Sequence, residues 1–340
     1  MTAKPMTRSP MTRNGLPLAA ARCLSGAVLA FSLFGAADPP PAGSGRAGGG
    51  TTAATALAEP ALVVYGLDSS VPFSSPRGIA ISAERGEVYL ANTGSGRIDI
   101  FDLRGRPKAR FMHRVATPAG TYVDGQPRGI AVDRAGRLYV VDNMASYVDV
   151  LDFRGRSVAR LEPEGGWQGA GAVAVAPNGM IFVAVRGDSG KVYSFGQDFK
   201  PRGSWGIAGK APGELTQLSG IAAGPDGRVV VTSIGADQAV QIFDAQGAYL
   251  GGFGRHDVGQ DNFSFPSAVA VSADGRIWVT DEIRQVIKVF ASSGAFLGMI
   301  GGLGAGPGDF KYPSAVASDG GKWLAVAERE GGRFQLMTIR

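Results

Sequence analysis

The sequence predicts an all-β fold: a six-bladed β-propeller of four-stranded antiparallel blades whose ring is closed by an N-terminal strand. Three observations carry this prediction. A unit of roughly 47 residues recurs six times up to the C-terminus. Each copy divides into four short runs separated by turn residues. The last copy also lacks sequence for one run, while an unassigned apolar run stands ahead of the first.

The clearest copies are PRGIAISAERGEVYLANTGSGRIDIFDLRG from Pro76, PRGIAVDRAGRLYVVDNMASYVDVLDFRG from Pro127 and PSAVAVSADGRIWVTDEIRQVIKVFASSG from Pro266. Weaker copies begin near Gly169, Leu218 and Pro313. In each, an apolar run rich in β-branched residues reaches a turn, and a second run follows that alternates apolar and polar side chains. Asn178-Gly179, Asp226-Gly227 and Asp274-Gly275 sit at that turn, where a tight hairpin needs the positive φ that Asn, Asp and Gly accept at least cost. The third run (RIDIFD, YVDVLD, AVQIFD, VIKVFA) ends at another Gly-containing turn, and a fourth short run follows (ARFM, YLGGF, FLGMI).

Four strands per unit and six units match a propeller rather than a solenoid, whose units are shorter. The last copy runs out after Phe334–Ile339, and Ala61–Tyr65 supplies the missing outer strand, which removes an exposed edge. The stretch GFGRHDVGQDNFSFPSAVAVSADGRIWVTDEIRQVIKVF has a Gly-rich lead, an aromatic before Pro-x-Gly/Ala, an apolar run, a Gly turn and an acidic residue closing the second strand. It resembles the NHL repeat. The resemblance extends over residues 60–340, carried best by units one, two, five and six, whereas units three and four lack the Pro. It is specific for fold and weak for function, because NHL-type propellers include binding scaffolds as well as lyases, lactonases and other hydrolases.

Lys4, Arg8, Arg13 and Arg22 precede the apolar stretch Leu24–Ala37, which ends in Gly35-Ala36-Ala37. This reads as a secretory signal peptide over residues 1–37, with a retained signal-anchor as the other reading. Export to the periplasm or the exterior follows, with no transmembrane span after cleavage. The single cysteine, Cys23, lies in that leader, so a cleaved chain has neither disulfides nor thiolate chemistry. Four of the 34 Lys and Arg residues and none of the 29 acidic ones precede residue 38. The remainder carries 30 basic against 29 acidic residues, which opposes nucleic-acid binding. Residues 38–59, rich in Pro, Gly, Ala and Thr, read as a flexible spacer, and residues 60–340 as the propeller.

Aligning the units on the hairpin Gly places Asn92, Asp142, Ser233 and Asp281 at the end of the second strand, with Asn143, Glu282 and Glu328 in the loop directly after. All fall on one face, around the tunnel mouth. Asn92, Asp142, Asp281 and Glu282 are candidate ligands for Ca2+, a hard cation held by carboxylate and amide oxygens. The competing reading makes the strand-closing acid a partner of local backbone donors. Arg77 and Arg128, in the middle of Pro-x-Gly, reach the same mouth and can hold an anion or pair with the acids. His113 and His256, the only histidines, cannot furnish a His-rich zinc site. His256 is the candidate general base, set against a reading of both as solvated loop residues. On the opposite face Arg104, Arg106, Lys108, Arg110, Arg154, Arg156 and Arg160 form a basic patch, suited to an anionic surface or neutralised by neighbouring aspartates.

No Ser-His-Asp order, phosphate-binding Gly loop or metal-spaced His cluster is present. The expected function is therefore a monomeric exported scaffold that binds a protein or glycan partner through Arg77, Asn92, Arg128, Asp142, Asn143, Asp281, Glu282 and Glu328. The alternative is a metal-dependent lactonase-like hydrolase or a lyase working at the tunnel mouth.

Overall fold

The computed structural model describes residues 57–340 apart from 69, 118, 164, 165 and 168. The expected signal peptide and residues 38–56 of the expected spacer lie outside the described residues. Six four-stranded antiparallel sheets form the blades. Blade 1 comprises Gly78–Ser82, Glu87–Asn92, Arg97–Asp102 and Pro107–Met112. Blade 2 comprises Pro127–Val132, Leu138–Asp142, Val148–Leu151 and Ser157–Leu161, and blade 3 Ala170–Val175, Ile181–Val185, Val192–Phe195 and Pro201–Trp205. Blade 4 is built from Leu218–Ala223, Val229–Ser233, Val240–Phe243 and Tyr249–Phe253, and blade 5 from Pro266–Val271, Ile277–Asp281, Val286–Phe290 and Phe296–Ile300.

Blade 6 takes Pro313–Ser318, Trp323–Glu328 and Arg333–Ile339 from the end of the chain and Ala58–Val64 from its start. Ala58 opposes Ile339 and Val64 opposes Phe334, so the ring closes as the sequence predicts. The strand begins two residues before the expected boundary at residue 60. The first strand of every blade contacts the first strands of both neighbours, including blade 1 with blade 6, and these six line the axis.

The second strands are buried along almost their whole length. Their alternating side chains enter the seams between blades, because a strand in mid-sheet turns one face to each neighbour. Tyr89, Tyr139, Phe182, Val230 and Trp278 occupy one equivalent position and are at most 2% exposed. Burying each contributes roughly 1.5–3 kcal/mol. The sixth blade departs from the alignment. Glu328 pairs across from Pro313 as Asp281 does from Pro266 and Asp142 from Pro127, so the equivalent residue is Ala325. The seam with blade 1 is filled instead by Phe73, Phe101 and Phe334, whose ring centroids lie 5.6, 6.0 and 5.2 Å apart.

Two connections carry structure of their own. Arg114–Ala116 and Tyr122–Asp124 form a small hairpin between blades 1 and 2 that the repeat pattern did not predict. The Gly-rich leads to blades 4, 5 and 6 fold into loops bridged at Ala208–Leu215, His256–Phe263 and Leu303–Phe310. Each tucks one large apolar side chain, Leu215, Phe263 or Phe310, to 1% exposure or less.

Candidate functional site

In five of the six blades the residue that closes the second strand captures the connection arriving from the previous blade, the exception being Val185 of blade 3. Asn92 Oδ1 accepts from the Ser74 amide at 2.8 Å. Asp142 Oδ1 accepts from the Gln126 and Met144 amides at 2.9 and 2.8 Å. Asp281 accepts from the amides of Ser264, Phe265 and Arg284 at 2.8, 3.1 and 3.2 Å. Glu328 Oε2 accepts from the Lys311 amide at 2.8 Å, while Oε1 takes Arg333 Nε at 2.7 Å and Gln335 Nε2 at 2.8 Å. Ser233 Oγ donates to the Thr216 carbonyl and accepts the Ala236 amide. All five side chains are buried. They hold down loop backbone whose donors would otherwise be orphaned.

In blades 3 to 6 the residue one position further on, Arg186, Ile234, Glu282 or Arg329, lines the axis. There, and at the middle of Pro-x-Gly, the chain lines a cavity of about 620 Å³ at the tunnel mouth. Arg77, Arg128 and Glu282 of the expected face line it, and Arg186 and Arg329 join them. Strand pairing sets Arg329, not Glu328, in the row of Glu282, Arg186 and Asn143. Sequence reasoning missed both arginines because that row was searched for oxygen ligands alone. The signal was present: both directly follow a second strand.

The cavity is electrically lopsided. Arg329, Arg77, Arg128 and Arg186 come from blades 6, 1, 2 and 3 in order around the ring, while blades 4 and 5 contribute Ser219, Ser267, Ile234, Phe265, Ile283 and Glu282. Glu282 is 7% exposed, and Arg329 Nη2 reaches its Oε1 at 3.0 Å. Burial pushes the Glu282 carboxyl up, against the opposing pull of Arg329, Arg77 and Arg128. Arg329 Nε is buried without a hydrogen-bond partner. Arg128 is driven down to about 10 by burial and then by the like charges of Arg186 and Arg77. Beneath the charged rim, Ile79, Ile130, Val173, Ile221, Val269 and Val316, one per blade, form an apolar ring. Beyond it a separate cavity of about 670 Å³ opens on the opposite face.

The Ca2+ candidates do not converge on this mouth. Asn92 Nδ2 donates to Asp99 at 2.8 Å, both Asp142 oxygens are engaged, and Asp281 is committed to three amides. Of the four, only Glu282 lines the cavity. Among the described residues no group of three or more His, Cys, Asp or Glu side chains is placed to hold a metal ion, so the residues present do not fit a divalent-cation site. Asn143 lies exposed at the rim and accepts Arg186 Nη2 at 2.9 Å.

The two histidines differ. His256 is exposed in the loop between blades 4 and 5 and does not line the cavity, so its position gives no support to a role as base. His113 is 2% exposed, not solvated as expected: Nδ1 meets Asp142 Oδ2 at 2.6 Å and Nε2 meets Asp149 Oδ2 at 3.4 Å. Burial opposes its charge, but the two carboxylates outweigh burial and raise the imidazole to about 9. A Cβ on Gly125 would lie 2.3 Å from Asp142 Oδ2 and 2.8 Å from His113 Nδ1, so only glycine lets that backbone approach.

Three of the seven cations of the basic patch are neutralised in place. Arg106 pairs with Asp102, Arg156 with Asp152 and Lys108 with Glu87. Arg154 and Arg160 lie over the rings of Phe153 and Tyr147. Arg104 and Arg110 are exposed.

No protein-family model matches the sequence, that of the NHL repeat included, and no curated protein matches it. Solved structures do resemble it in fold. A gluconolactonase of Xanthomonas campestris aligns at TM-score 0.57 and 16% identity over 79% of this chain and 87% of its own. Virginiamycin B lyase from Staphylococcus aureus aligns at TM-score 0.54 and 13% identity over 78% and 96%. A structural-genomics target assigned provisionally as a gluconolactonase reaches TM-score 0.60 and 16% identity over 83% and 92%. These likenesses overturn the expectation of a rigid scaffold for a protein or glycan partner: the propellers that share its architecture are named for a lactonase and a lyase, and here the tunnel mouth is a cavity with a buried carboxyl rather than a presenting surface. Among the described residues no helix is long and apolar enough to cross a membrane. At this identity the likeness establishes the fold, so the chain is a six-bladed β-propeller of the architecture shared by these lactonase and lyase structures.

Proposed function

We propose that the protein is a hydrolase or lyase that cleaves the C–O bond of a lactone or ester in the tunnel-mouth cavity, with Glu282 as acid–base and Arg329 as the cation beside it. The observation that carries this reading is the Glu282–Arg329 pair, a buried carboxyl and a guanidinium facing a cavity large enough for a small molecule. In hydrolysis Glu282 takes a proton from water as its oxygen attacks the ester carbonyl carbon, and the negative charge that develops on the carbonyl oxygen is stabilised by a guanidinium. The C–O bond then breaks and the proton returns to the departing alkoxide. In elimination Glu282 instead takes a C–H proton, a C=C bond forms and the C–O bond breaks to release a carboxylate. Its raised carboxyl suits both directions of proton transfer, because it favours an acid–base group closer to working pH than an exposed glutamate. No step is drawn through a metal, since the candidate ligands do not converge. The basic and apolar leader supports export, and the repeat pattern supports kinship with NHL-type propellers.

The test is turnover of a panel of chromogenic lactones and esters by the wild type and by Glu282→Gln. Glutamine keeps the size and cannot exchange the proton, so activity present in the wild type falls by a factor of about 100 or more. From a lactone, a single product heavier than the substrate by one water identifies hydrolysis and one of equal mass identifies elimination; from an ester, release of an alcohol with the acid identifies hydrolysis and release of an alkene identifies elimination. Equal turnover by the two proteins sinks the assignment.

A further inference from the structure

The arginines of blades 1, 2 and 3 are not needed for the chemistry just described, and they lack counter-charges. Arg77 and Arg128 make no side-chain hydrogen bond or ion pair with a described residue, and Arg186 makes one, to the neutral Asn143. Of the two carboxylates that line the cavity, Glu282 is engaged by Arg329 and Asp188 accepts from Thr216 Oγ1 at 3.0 Å. Three guanidiniums at one mouth therefore repel one another, which adds to the larger effect of burial in lowering the proton affinity of Arg128 and of Arg186. A protein retains unneutralised charge in a half-buried position at a cost in stability. An incoming anion removes that cost.

Across the cavity the surface is of the opposite kind. Ile234, Phe265 and Ile283 stand on the blade 4 and 5 side, Ile283 being 56% exposed, and the Ile/Val ring lies below. We infer that Arg77, Arg128 and Arg186 form a socket for the oxyanion group of a small amphipathic ligand, whose apolar body rests against Ile234, Phe265 and Ile283. This deepens the proposed function by naming its substrate class, and it rests on that reading only for the statement that the ligand is turned over. Guanidiniums suit planar or tetrahedral oxyanions because their paired N–H donors match two oxygens at once. The apolar wall supplies affinity that acetate or inorganic phosphate cannot use.

The test is isothermal titration of the full chain with phenylacetate and with phenyl phosphate, alongside phenylacetamide, acetate and inorganic phosphate. The expected result is saturable binding of one or both aromatic anions and none of the amide. The two anions distinguish a carboxylate from a phosphate socket. Arg128→Gln and Arg186→Gln each raise the dissociation constant by about tenfold or more, the effect of one lost charge-assisted bond. Because Arg128 sits among like charges, Arg128→Gln melts at or above the wild-type temperature, which separates lost binding from lost folding. Equal binding of acid and amide, or unchanged affinity in both variants, overturns the socket. Anion binding without turnover of any lactone or ester leaves the socket standing and sinks the enzymatic reading. Turnover of uncharged lactones that is insensitive to both arginine variants does the reverse.

Discussion

Glu282 and Arg329 occupy the same repeat position in adjacent blades and meet across the rim of the tunnel mouth at 3.0 Å. The repeat makes this pair, because in blades 5 and 6 the residue after the second strand lines the axial cavity and neighbouring blades bring successive copies side by side. Removing Arg329 leaves the carboxyl buried with only the more distant Arg77 and Arg128 to favour its charge. Arg329→Ala therefore raises the pH at which Glu282 loses its proton, and the acid limb of the kcat/KM profile moves to higher pH by about one unit. A limb that stays in place shows that Glu282 is not the group that titrates in catalysis.

Asp281, one residue earlier, has a different task. Its carboxylate satisfies three loop amides and lies 4.0 Å from the buried ammonium of Lys288. Asp281→Ala orphans these donors and leaves Lys288 without its nearby carboxylate, so it destabilises the fold by about 3 kcal/mol or more. Chemical denaturation measures it. A midpoint close to wild type would show that the loop amides find water instead, and that the strand-closing acid is dispensable.

The pair of neighbouring positions also shows how far the sequence could be read. The hairpin glycines and the alternation of the second run define the ring because they are local rules that recur from copy to copy, and the one surplus N-terminal run defines its closure because the last copy lacks a run. Which of two successive residues points to the axis is not such a rule. It depends on parity at a strand end, where one residue reverses the direction of the side chain. Asn92, Asp142 and Asp281 therefore read as ligands, and Glu328 as part of a binding face, although they bind backbone. In blade 6 the turn has the same length as its counterparts, with five residues between Ser318 and Leu324 as between Val271 and Ile277, but its glycine, Gly321, stands one place earlier than Gly275 does, so alignment on the glycine shifted Glu328 into the row that Arg329 fills. The burial of His113 was equally illegible, since it needs Asp142 and Asp149 of the next blade, 29 and 36 residues away.

That histidine predicts a pH dependence. Its folded value, about 9, lies above the ordinary value of 6.5, so the folded state holds the proton more tightly than the unfolded one. The stabilisation is complete below about pH 6.5 and is lost as pH rises to about 9, amounting to about 3 kcal/mol. Denaturation midpoints taken from pH 6 to pH 9.5 decline for the wild type. His113→Gln, which is less stable at pH 6, loses most of the slope. Parallel declines in the two proteins would assign the effect to other groups.

The closure of the ring yields the last prediction. Ala58–Val64 covers the edge of Arg333–Ile339, and it buries Ala58 and Val64 against the sixth blade and its neighbours. Without it, the seven-residue strand Arg333–Ile339, which contains Phe334, Leu336 and Met337, presents unpaired backbone along one side. Such an edge recruits other chains. A protein beginning at residue 66 is expected to melt several degrees lower and to elute as oligomers, whereas one beginning at residue 53 stays at the size of a single chain. Size-exclusion chromatography with light scattering separates the outcomes. A monomeric, equally stable protein from residue 66 would show that the ring is held by its innermost strands alone.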